Sequence, residues 1–372
     1  MIQIEAVGQN GAVPEIFLAL PDALYAGQRC RTPRPAEHTV RLLDTSHSPY
    51  WKQAERELFV AIKDGKVVGR IVATDDSRMS SDGGDNSGYF GFFECIDDQA
   101  AADALLAAAG DWLRQRGRRQ MRGPFSPSPY IYDLGLLIDG FDQPQAIGEP
   151  YHPPYYQRLL ETHGLIKSVD ELSLDVPGRA HEGTLKNAVR RRIAARPELR
   201  VRPFDTSRIE SELRIAVDIL NAEYGSDPIY SADSFDVARF ALESLFPFGD
   251  WGLCLIAEVD GEPVGVMINV PDCDAGWRLR AARGDAASPD AAGAPTGSCV
   301  IELAIAPKFQ HTHVGPALFY AFWDAIGKRN YTYNRTCYVD EDNRGCLSMI
   351  AAFGGRIARR YRVYQTELAA AG

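Results

Sequence analysis

Residues 299–322 read CVIELAIAPKFQHTHVGPALFYAF, which places a short apolar run, a polar loop and a second apolar run in succession. The first run has the length of a buried strand, and the second, which opens with Gly315 and Pro316, has the features of a helix. A strand that leads through a loop into a helix points backbone N–H groups and the positive end of the helix dipole at one place. The stretch therefore predicts an anion site suited to a pyrophosphate. A solvated loop before an ordinary helix cap is the alternative interpretation.

A repeated pattern along the chain indicates how it divides. The stretch ELFVAIKDGKVVGRIVA (57–73) aligns with LCLIAEVDGEPVGVMIN (253–269) at a constant offset, and each copy has two alternating strands joined by Asp-Gly. Asp-Gly between such strands predicts a hairpin. A further strand and a helix follow each copy. We therefore predict an α/β (α+β) fold with one module at 1–175, a basic connecting segment at 176–202 and a second module at 203–372.

Composition limits the class of protein. The chain has 372 residues, 45% of them hydrophobic and 24% charged, which is typical of a soluble globular protein with more than one core. Its seven cysteines are scattered without a CxxC pair, which favours buried thiols over disulfides or a zinc site. No apolar run is long enough to cross a bilayer and the first residues lack the order of a signal peptide, so we expect a cytoplasmic protein with no membrane partner.

The charge of the chain is unevenly distributed. A net charge of −10 disfavours general nucleic-acid binding. Residues 186–202, however, carry seven basic side chains and a single acid, Glu198. This segment predicts a contact with a negatively charged partner, which would be an acidic carrier protein or, among nucleic acids, tRNA.

Two stretches resemble the GNAT superfamily of N-acetyltransferases, in which a strand ending in L-x-V-x-P precedes Q/R-x-x-G-x-G/A and a helix. Here Leu303, Ile305 and Pro307 match the end of the strand, while Gln310 and Gly315 match the first and last positions of the loop. The motif binds acyl-CoA in that family. The resemblance therefore implies acyl-CoA or acetyl-CoA as the donor substrate, and no metal.

The second stretch is EDNRGCLSMIAAFGGRIARRYRVYQ (341–365), which resembles the closing region of the same family. Asn343 matches its asparagine, whereas Ile350 stands where a tyrosine often serves as general acid. His313 likewise replaces the first glycine of the loop. Over nearly its whole length the chain resembles bacterial proteins with two tandem GNAT modules, each a mixed, mainly antiparallel sheet flanked by helices.

This resemblance implies a set of donor-binding residues around the loop. They are Leu303, Ala304, Ile305, Gln310, His311, Thr312, His313, Val314, Gly315, Ala317 and Asn343. In GNAT-like folds the backbone at the end of the strand, here residues 303–305, holds the thioester carbonyl. The same alignment places Asp97 and Asp98 over the loop of the first module, where like charges would repel a pyrophosphate. We therefore expect the module at 1–175 to be degenerate and without a CoA site, with one of these aspartates capping the next helix.

Acyl transfer to an amine requires a base and is helped by an acid. Glu302 lies in the predicted strand beside the thioester position and is the candidate base, although a carboxylate paired with a basic neighbour is an equal alternative. The candidates for the acid are Tyr338, Cys346 and His313. Of these we select Tyr338, whose alternative is a core tyrosine with a satisfied hydroxyl. Cys346 is better interpreted as a buried thiol than as a nucleophile.

The sequence thus predicts an N-acyltransferase that moves an acyl group from acyl-CoA, or from an acyl carrier protein docked at 186–202, to the amine of a small molecule by direct attack on the thioester. An aminoacyl-tRNA-dependent transferase is one alternative. A non-catalytic ligand-binding protein of GNAT fold is the other, because the family tyrosine and one loop glycine are replaced.

Overall fold

The computed structural model describes residues 1–28, 30–32, 36–80, 86–127, 133–143, 145–177, 184–225, 235–243, 250–272, 297–329 and 331–368. The strands are β1 (Ile2–Val7), β2 (Ala54–Lys63), β3 (Lys66–Asp76), β4 (Ser87–Cys95), β5 (Gln120–Gly123), β6 (Leu136–Asp139), β7 (Ile166–Pro177), β8 (Leu199–Pro203), β9 (Leu255–Val259), β10 (Glu262–Pro271), β11 (Gly297–Ile305), β12 (Tyr333–Asp340) and β13 (Arg356–Glu367). The helices are α1 (Glu15–Leu18), α2 (Leu20–Leu24), α3 (Ala36–Leu43), α4 (Gln99–Gln115), α5 (Tyr155–His163), α6 (Thr184–Ala194), α7 (Ile209–Tyr224), α8 (Phe235–Glu243), α9 (Val314–Gly327) and α10 (Arg344–Ala352). Within these ranges, no helix is long and apolar enough to cross a membrane.

One sheet runs through the described chain in the order β1-β2-β3-β4-β5-β13-β7-β12-β11-β10-β9-β8, with β6 paired to β13. The order reads alike from both ends, because β4 pairs parallel with β5 and β11 pairs parallel with β12. The last strand of each half pairs with the other half: β7 lies against β12 and β13 lies against β5. The mixed α/β sheet is the fold class predicted from the sequence. The module boundaries at 175 and 203 stay predictions. The pairing of the sheet shows in addition that the strands at 166–177 and 356–367 each lie against a strand of the other half.

Both predicted hairpins are confirmed. Asp64 and Gly65 turn the chain between β2 and β3 with φ of 51° and 74°, and Asp260 and Gly261 do so between β9 and β10 with φ of 51° and 82°. Positive φ at both central positions is what a tight hairpin turn requires, and it explains the Asp-Gly pairs. The repeat in the sequence therefore marks two structurally equivalent hairpins.

The helix that follows each repeat packs closely on the sheet. A Cβ on Gly69 would lie 2.6 Å from Leu105 Cδ1 in α4, and a Cβ on Gly265 would lie 2.9 Å from Val314 Cγ1 in α9. Only glycine allows so close an approach without a movement of the neighbouring side chain. The two glycines, 196 residues apart by their numbering, thus hold equivalent helices against equivalent strands.

The opposite face of the sheet joins the two halves through α8. Val237 and Phe240 of this helix pack into a core of the first half that contains Leu43 and Tyr50. Arg41 of α3 donates from Nη2 to the Phe240 carbonyl oxygen at 2.7 Å and stacks on the Phe240 ring. The halves therefore share a core as well as a sheet.

A buried ion cluster lies at the centre of the sheet. Glu149 and Arg359 are both 0% exposed, and Glu149 Oε2 lies 3.3 Å from a guanidinium nitrogen of Arg359 and of Arg335. Arg335 also donates to Asp175 Oδ1 at 2.7 Å. Because a buried charge is costly unless it is paired, each member of this cluster depends on the others. The cluster links a loop of the first half to β7, β12 and β13.

Candidate functional site

The two parallel strands of the second half separate before they end. Register pairs between β11 and β12 run from Gly297↔Tyr333 to Val300↔Thr336, after which β12 continues against β7. β11 itself continues to Ile305, paired with β10. Residues 301–303 are accordingly half-buried, although the rest of the strand up to Val300 is buried. The backbone at 303–305, predicted to hold a thioester carbonyl, thus lies beyond the point where the two strands pair.

The loop after β11 is tied back to the strand and to the next helix. Gln310 Nε2 donates to the Ile305 carbonyl oxygen at 3.3 Å. The Thr312 hydroxyl donates to the Phe309 carbonyl oxygen at 2.5 Å and accepts from the Val314 N–H at 3.4 Å. The loop that the sequence predicts as an anion site therefore leads directly into α9, in the order strand, loop and helix that residues 299–322 predict.

The predicted loop residues differ in exposure. His311, at φ 58°, and Thr312 are exposed, and His313 is half-buried at the N-cap of α9, where its side chain makes no capping hydrogen bond. Val314, Gly315 and Ala317 are buried. The polar members thus face outward at the helix start while the small apolar members form the packed base of the loop.

Three elements meet at Gly315. A Cβ on this residue would lie 3.3 Å from Ile305 Cδ1 of β11 and 3.9 Å from Met349 Cε of α10. The end of the strand, the start of α9 and the middle of α10 are therefore in contact around one glycine. A larger side chain here would need its neighbours to move.

A carboxyl group that the sequence analysis missed lies at this point. Glu223, the penultimate residue of α7, accepts a hydrogen bond on its carboxyl from the Ile305 N–H. Burial raises the pKa of Glu223 to about 7, even though the hydrogen bond from Ile305 acts to lower the pKa. A carboxyl group that is half ionised near neutral pH can accept a proton from a ligand held at the strand end.

Tyr224 follows Glu223 at the end of α7. Its hydroxyl donates to the Leu303 carbonyl oxygen at 3.3 Å. Burial raises the pKa of the phenol well above its ordinary value, and the nearby carboxylates of Glu302 and Glu223 raise it further. Tyr224 therefore stays protonated, and Glu302, the base predicted from the sequence, lies close enough to act on it electrostatically.

The start of α10 contributes Asn343 and Cys346. Asn343 Oδ1 accepts from the Cys346 N–H at 3.1 Å and so caps the helix. Burial, followed by the effect of Glu223, raises the pKa of the Cys346 thiol to about 11. A thiol with that pKa is protonated at neutral pH, which argues against Cys346 as a nucleophile; the residue is half-buried, where the sequence predicted a buried thiol. The predicted role of Asn343 in donor binding stays a prediction.

The structure places Tyr338 with the first half of the molecule. At φ 54° its side chain turns so that the hydroxyl donates to the Gly148 carbonyl oxygen at 2.7 Å and accepts from the Leu134 N–H at 3.3 Å. The ring packs edge-on against Tyr361. Burial raises the pKa of this phenol. The role of Tyr338 as an acid stays a prediction, and Tyr224 is the tyrosine that reaches the end of β11.

The equivalent helix start in the first half holds its own carboxylate. Asp98 Oδ1 accepts from the N–H groups of Ala100 and Ala101 at 3.0 and 3.3 Å, which confirms the predicted cap. Lys63 Nζ lies 2.6 Å from Asp98 Oδ2, while Asp97 pairs with Arg158. Two N–H groups of the first turn of α4 are therefore engaged by Asp98, whose negative charge also opposes an external anion.

The basic segment lies at the same end of the sheet as the loop. Arg190, Arg191 and Arg192 of α6 are exposed. The Glu198 carbonyl oxygen just beyond accepts from the Asp260 N–H at 2.9 Å, at the tip of the β9–β10 hairpin. From that tip β10 begins, and the Val264 carbonyl oxygen accepts from the Ala306 N–H directly before the loop.

Comparisons with known proteins give relatives over the whole length of the chain. No family model matches. The chain is 29% identical over 375 residues to "Bacterial ceramide synthase" of Caulobacter vibrioides, an alignment that covers 95% of this chain and 94% of that protein. It is 25% identical over 379 residues to "Protein YghO" of Escherichia coli, with 95% and 92% covered.

Two solved structures share its architecture. A tandem GNAT protein from the clavulanic acid biosynthesis pathway superposes with a TM-score of 0.59 at 13% identity and 100% coverage of both chains. A GCN5-related N-acetyltransferase from Sphaerobacter thermophilus superposes with a TM-score of 0.54 at 12% identity, covering 99% of this chain and 96% of the other. At such identities the similarity establishes the fold, and it confirms the fold predicted from residues 299–322.

Proposed function

We propose that this chain, which has the tandem GNAT fold, is an N-acyltransferase whose active site lies at the open end of β11. The observation that carries the proposal is the carboxyl group of Glu223, which the Ile305 N–H holds beside residues 303–305 and whose pKa is raised to about 7. A base, a row of backbone groups and a helix start suited to a pyrophosphate are thus gathered at one strand end.

The donor substrate in this proposal is an acyl-CoA, with acetyl-CoA as the smallest case. Its pyrophosphate would lie at the start of α9, where the backbone N–H groups and the helix dipole favour an anion. Its thioester would lie at residues 303–305. Because the Ile305 N–H already donates to Glu223, the charge that develops on the carbonyl oxygen would be stabilised by the other backbone N–H groups of this stretch. Gly315 supports this arrangement because it permits the close contact of strand, loop and α10.

In the reaction the neutral amine attacks the thioester carbon, a C–N bond forms and the C–S bond breaks. The amine arrives protonated, so a base must remove a proton before or during the attack. Glu223 suits this task because its pKa lies near neutral pH, where a carboxyl group both accepts and releases protons readily. Glu302, which lies near Tyr224, is the second candidate for the base.

The departing thiolate needs less help, because a thiol has a pKa of about 8.5 in water. Tyr224 is the proposed hydrogen-bond donor to the sulfur, since its phenol stays protonated and its hydroxyl lies at the Leu303 carbonyl. Tyr338, the acid predicted from the sequence, is held by Gly148 and Leu134.

The acceptor in this proposal is a long-chain amine. Ceramide is the amide of a long-chain amino alcohol, so the name of the Caulobacter relative denotes synthesis of an N-acyl product. Partly buried apolar side chains surround the strand end in this chain, which suits acyl or alkyl groups. They are Leu303, Ile305, Phe309, Leu347 and Met349.

An acyl carrier protein is the alternative donor, and the exposed arginines of α6 support it. Carrier proteins that present an acidic surface would meet Arg190, Arg191 and Arg192 at the end of the sheet where the loop lies. Replacing all three by alanine is expected to reduce turnover with a carrier-bound donor and to spare turnover with acyl-CoA. Steady-state rates with both donors at low and high salt test this, and equal losses would assign the arginines a structural role.

The proposed activity is tested by measuring release of free CoA from a long-chain acyl-CoA in the presence of a long-chain amine, with mass spectrometry of the product. The expected result is amine-dependent thiol release with formation of the amide. Thiol release without an amide product would identify a thioesterase. Tight tRNA binding together with no CoA binding would favour an aminoacyl-tRNA-dependent transferase.

A further inference from the structure

The first half of the molecule contains a cavity that the acyl-transfer proposal does not use. Its volume is about 90 Å³, and its walls come from α2, α3, β3, β4 and the chain between 124 and 152. Since one water needs roughly 10–15 Å³ measured in this way, the cavity has room for a few waters or one small molecule. Its size therefore limits a ligand to about half a dozen heavy atoms.

Arg70 is the buried charge of this cavity. The residue is 4% exposed, its Nη1 donates to the Phe17 carbonyl oxygen at 2.8 Å, and its Nη2 lies 3.9 Å from Glu94 Oε1. Arg70 Nε is buried and has no hydrogen-bond partner among the described residues. A buried N–H of a charged group without an acceptor is costly, so the position favours a ligand that supplies one.

The nearest carboxyl group is already engaged by other donors. Glu94 Oε2 accepts from the hydroxyls of Tyr25 and Tyr156 at 2.5 and 2.9 Å. Burial raises the pKa of Glu94, although Arg70 and the two hydroxyls act to lower it. Glu94 thus approaches the Arg70 guanidinium only at 3.9 Å and leaves Arg70 Nε without an acceptor in the described part of the chain.

The other polar groups that line the cavity include both hydrogen-bond donors and acceptors. The Arg31 guanidinium lies 4.1 Å from the centre of the Tyr25 ring and lines the cavity. His152 Nδ1 accepts from the Leu137 N–H, so a neutral ring carries its proton on Nε2. Asp22 and Asp133 also line the cavity. Two guanidinium groups and two imidazoles, those of His38 and His152, thus line the cavity together with three carboxyl groups.

We propose that this cavity is a binding site for a small carboxylate, whose oxygens accept hydrogen bonds from Arg70 and Arg31. A guanidinium with an available N–H matches a carboxylate in geometry and charge. The small volume restricts the ligand to a short chain, such as a two- or three-carbon acid. Because Asp22 and Asp133 also line the cavity, a carboxylate that carries an amino group would find a partner for each charge. The comparison of acetate with glycine in the test below distinguishes the two ligands.

The site is separate from the proposed acyl-transfer site. β4 and β11 are five steps apart in the sheet, and at about 4.8 Å for each step this is roughly 24 Å. The strands β4 and β11 occupy equivalent places in the two halves, since they are the inner strands that pair parallel with β5 and β12. The first half thus keeps a pocket beside its inner strand while its helix start is closed by Asp98.

The test is a titration of the full chain with acetate, glycine and methylammonium, followed by calorimetry or by NMR of the ligand. Acetate is expected to bind saturably with one site per chain, whereas methylammonium is expected not to bind. If glycine binds as well as acetate, the site accepts a carboxylate that carries an amino group. Acetate is also expected to leave the affinity for CoA unchanged. Competition between acetate and CoA, or equal binding of acetate and methylammonium, would overturn the proposal.

Variants locate the binding. Arg31→Gln is expected to weaken acetate binding about tenfold, because one charge-assisted hydrogen bond is lost. Arg116→Gln is the matched control, since Arg116 likewise stacks on an aromatic ring, Trp112, but does not line the cavity. Arg70→Lys, checked for folding by circular dichroism, removes the Nε–H and is expected to weaken binding as well. Unchanged acetate affinity in folded Arg31→Gln and Arg70→Lys would also overturn the proposal.

Discussion

The starts of α4 and α9 occupy equivalent places in the two halves, yet their backbone N–H groups meet different partners. At α4 the Asp98 carboxylate accepts from Ala100 and Ala101, and Lys63 neutralises it. At α9 the N-cap is His313, whose side chain makes no capping bond, and the neighbouring hydroxyl of Thr312 is neutral. The comparison teaches that one scaffold can either satisfy a helix start internally or leave it suited to a ligand, and that a single acidic residue separates the two.

The carboxyl groups beside the inner strands β4 and β11 also have different partners. In the first half Glu94 is held by two tyrosine hydroxyls near a buried arginine. In the second half Glu223 is held by one backbone N–H at a strand end that lies beyond its pairing with β12. Burial raises the pKa of both carboxyl groups, so the difference lies in their partners. Several donors engage Glu94, whereas Glu223 has one backbone donor and lies beside an open strand end, which suits proton transfer.

The largest effect is expected from the carboxyl group of the second half. Glu223→Gln keeps the size of the side chain but removes the base, so the transfer rate should fall by about 10² to 10⁴ while CoA affinity stays the same. Glu302→Gln is the matched control and should cost less. Single-turnover rates measure both, and the reverse order of losses would assign the base to Glu302.

The pH profile sharpens this prediction. Because the pKa of Glu223 is raised to about 7, its carboxyl becomes ionised as the pH rises through that value. The contribution of Glu223 to the wild-type rate should therefore rise toward pH 7 and become constant above that pH. This limb is separate from the increase that comes from amine ionisation. Glu223→Gln should lack this limb. A limb that persists in the variant would belong to another group.

A smaller effect is expected when α9 is made to resemble α4. His313→Asp should cap the helix and repel a pyrophosphate, so CoA affinity should fall about 10- to 100-fold while stability rises by about 1 kcal/mol. His313→Asn is the control, because it can cap without the charge. If both variants bind CoA equally weakly, sterics rather than charge would explain the loss.

Substitution of Tyr224 should change the transfer rate, whereas substitution of Tyr338 should change the stability of the fold. Tyr224→Phe should lower the transfer rate by about tenfold, because the sulfur loses a donor but a thiolate can still leave. Tyr338→Phe should chiefly lower the free energy of unfolding, by about 1–3 kcal/mol, since Gly148 and Leu134 lose their partner. Rates and denaturant midpoints measured on both variants check the assignment. A larger rate loss in Tyr338→Phe would restore it as the acid.

The smallest effect concerns the closed helix start. Asp98→Ala should lower the free energy of unfolding by about 1 kcal/mol, because the N–H groups of α4 lose their cap. Asp97→Ala removes an exposed ion pair with Arg158 and should cost about 0.5 kcal/mol or less. Denaturant unfolding of both variants measures the difference, and equal losses would contradict the cap.

Local patterns in the sequence were sufficient for much of the fold. The Asp-Gly pairs predicted both hairpins, and the aligned glycines Gly69 and Gly265 lie where α4 and α9 pack closely on the sheet. Asp97 or Asp98 was predicted as a cap from its position before a helix, and Asp98 is the residue that caps it. These features depend on residues within one turn or one strand, where propensity and spacing carry the information.

The carboxyl group of the proposed base could not be predicted because its partner is distant along the chain. Glu223 and Ile305 are 82 residues apart, and only the packing of α7 on the sheet brings them together. The one local signal was a polar pair, Glu223 and Tyr224, at the end of an otherwise amphipathic helix. The exchange of β7 and β13 was missed for the same reason, since either strand could have paired with its own half.

The central claim is that the second half alone binds the donor, and a calorimetric titration of the full chain with CoA tests it most directly. The account predicts one site per chain, which weakens in His313→Asp and is unchanged in Asp98→Ala. Two sites per chain, or one site that weakens in Asp98→Ala and survives in His313→Asp, would contradict it.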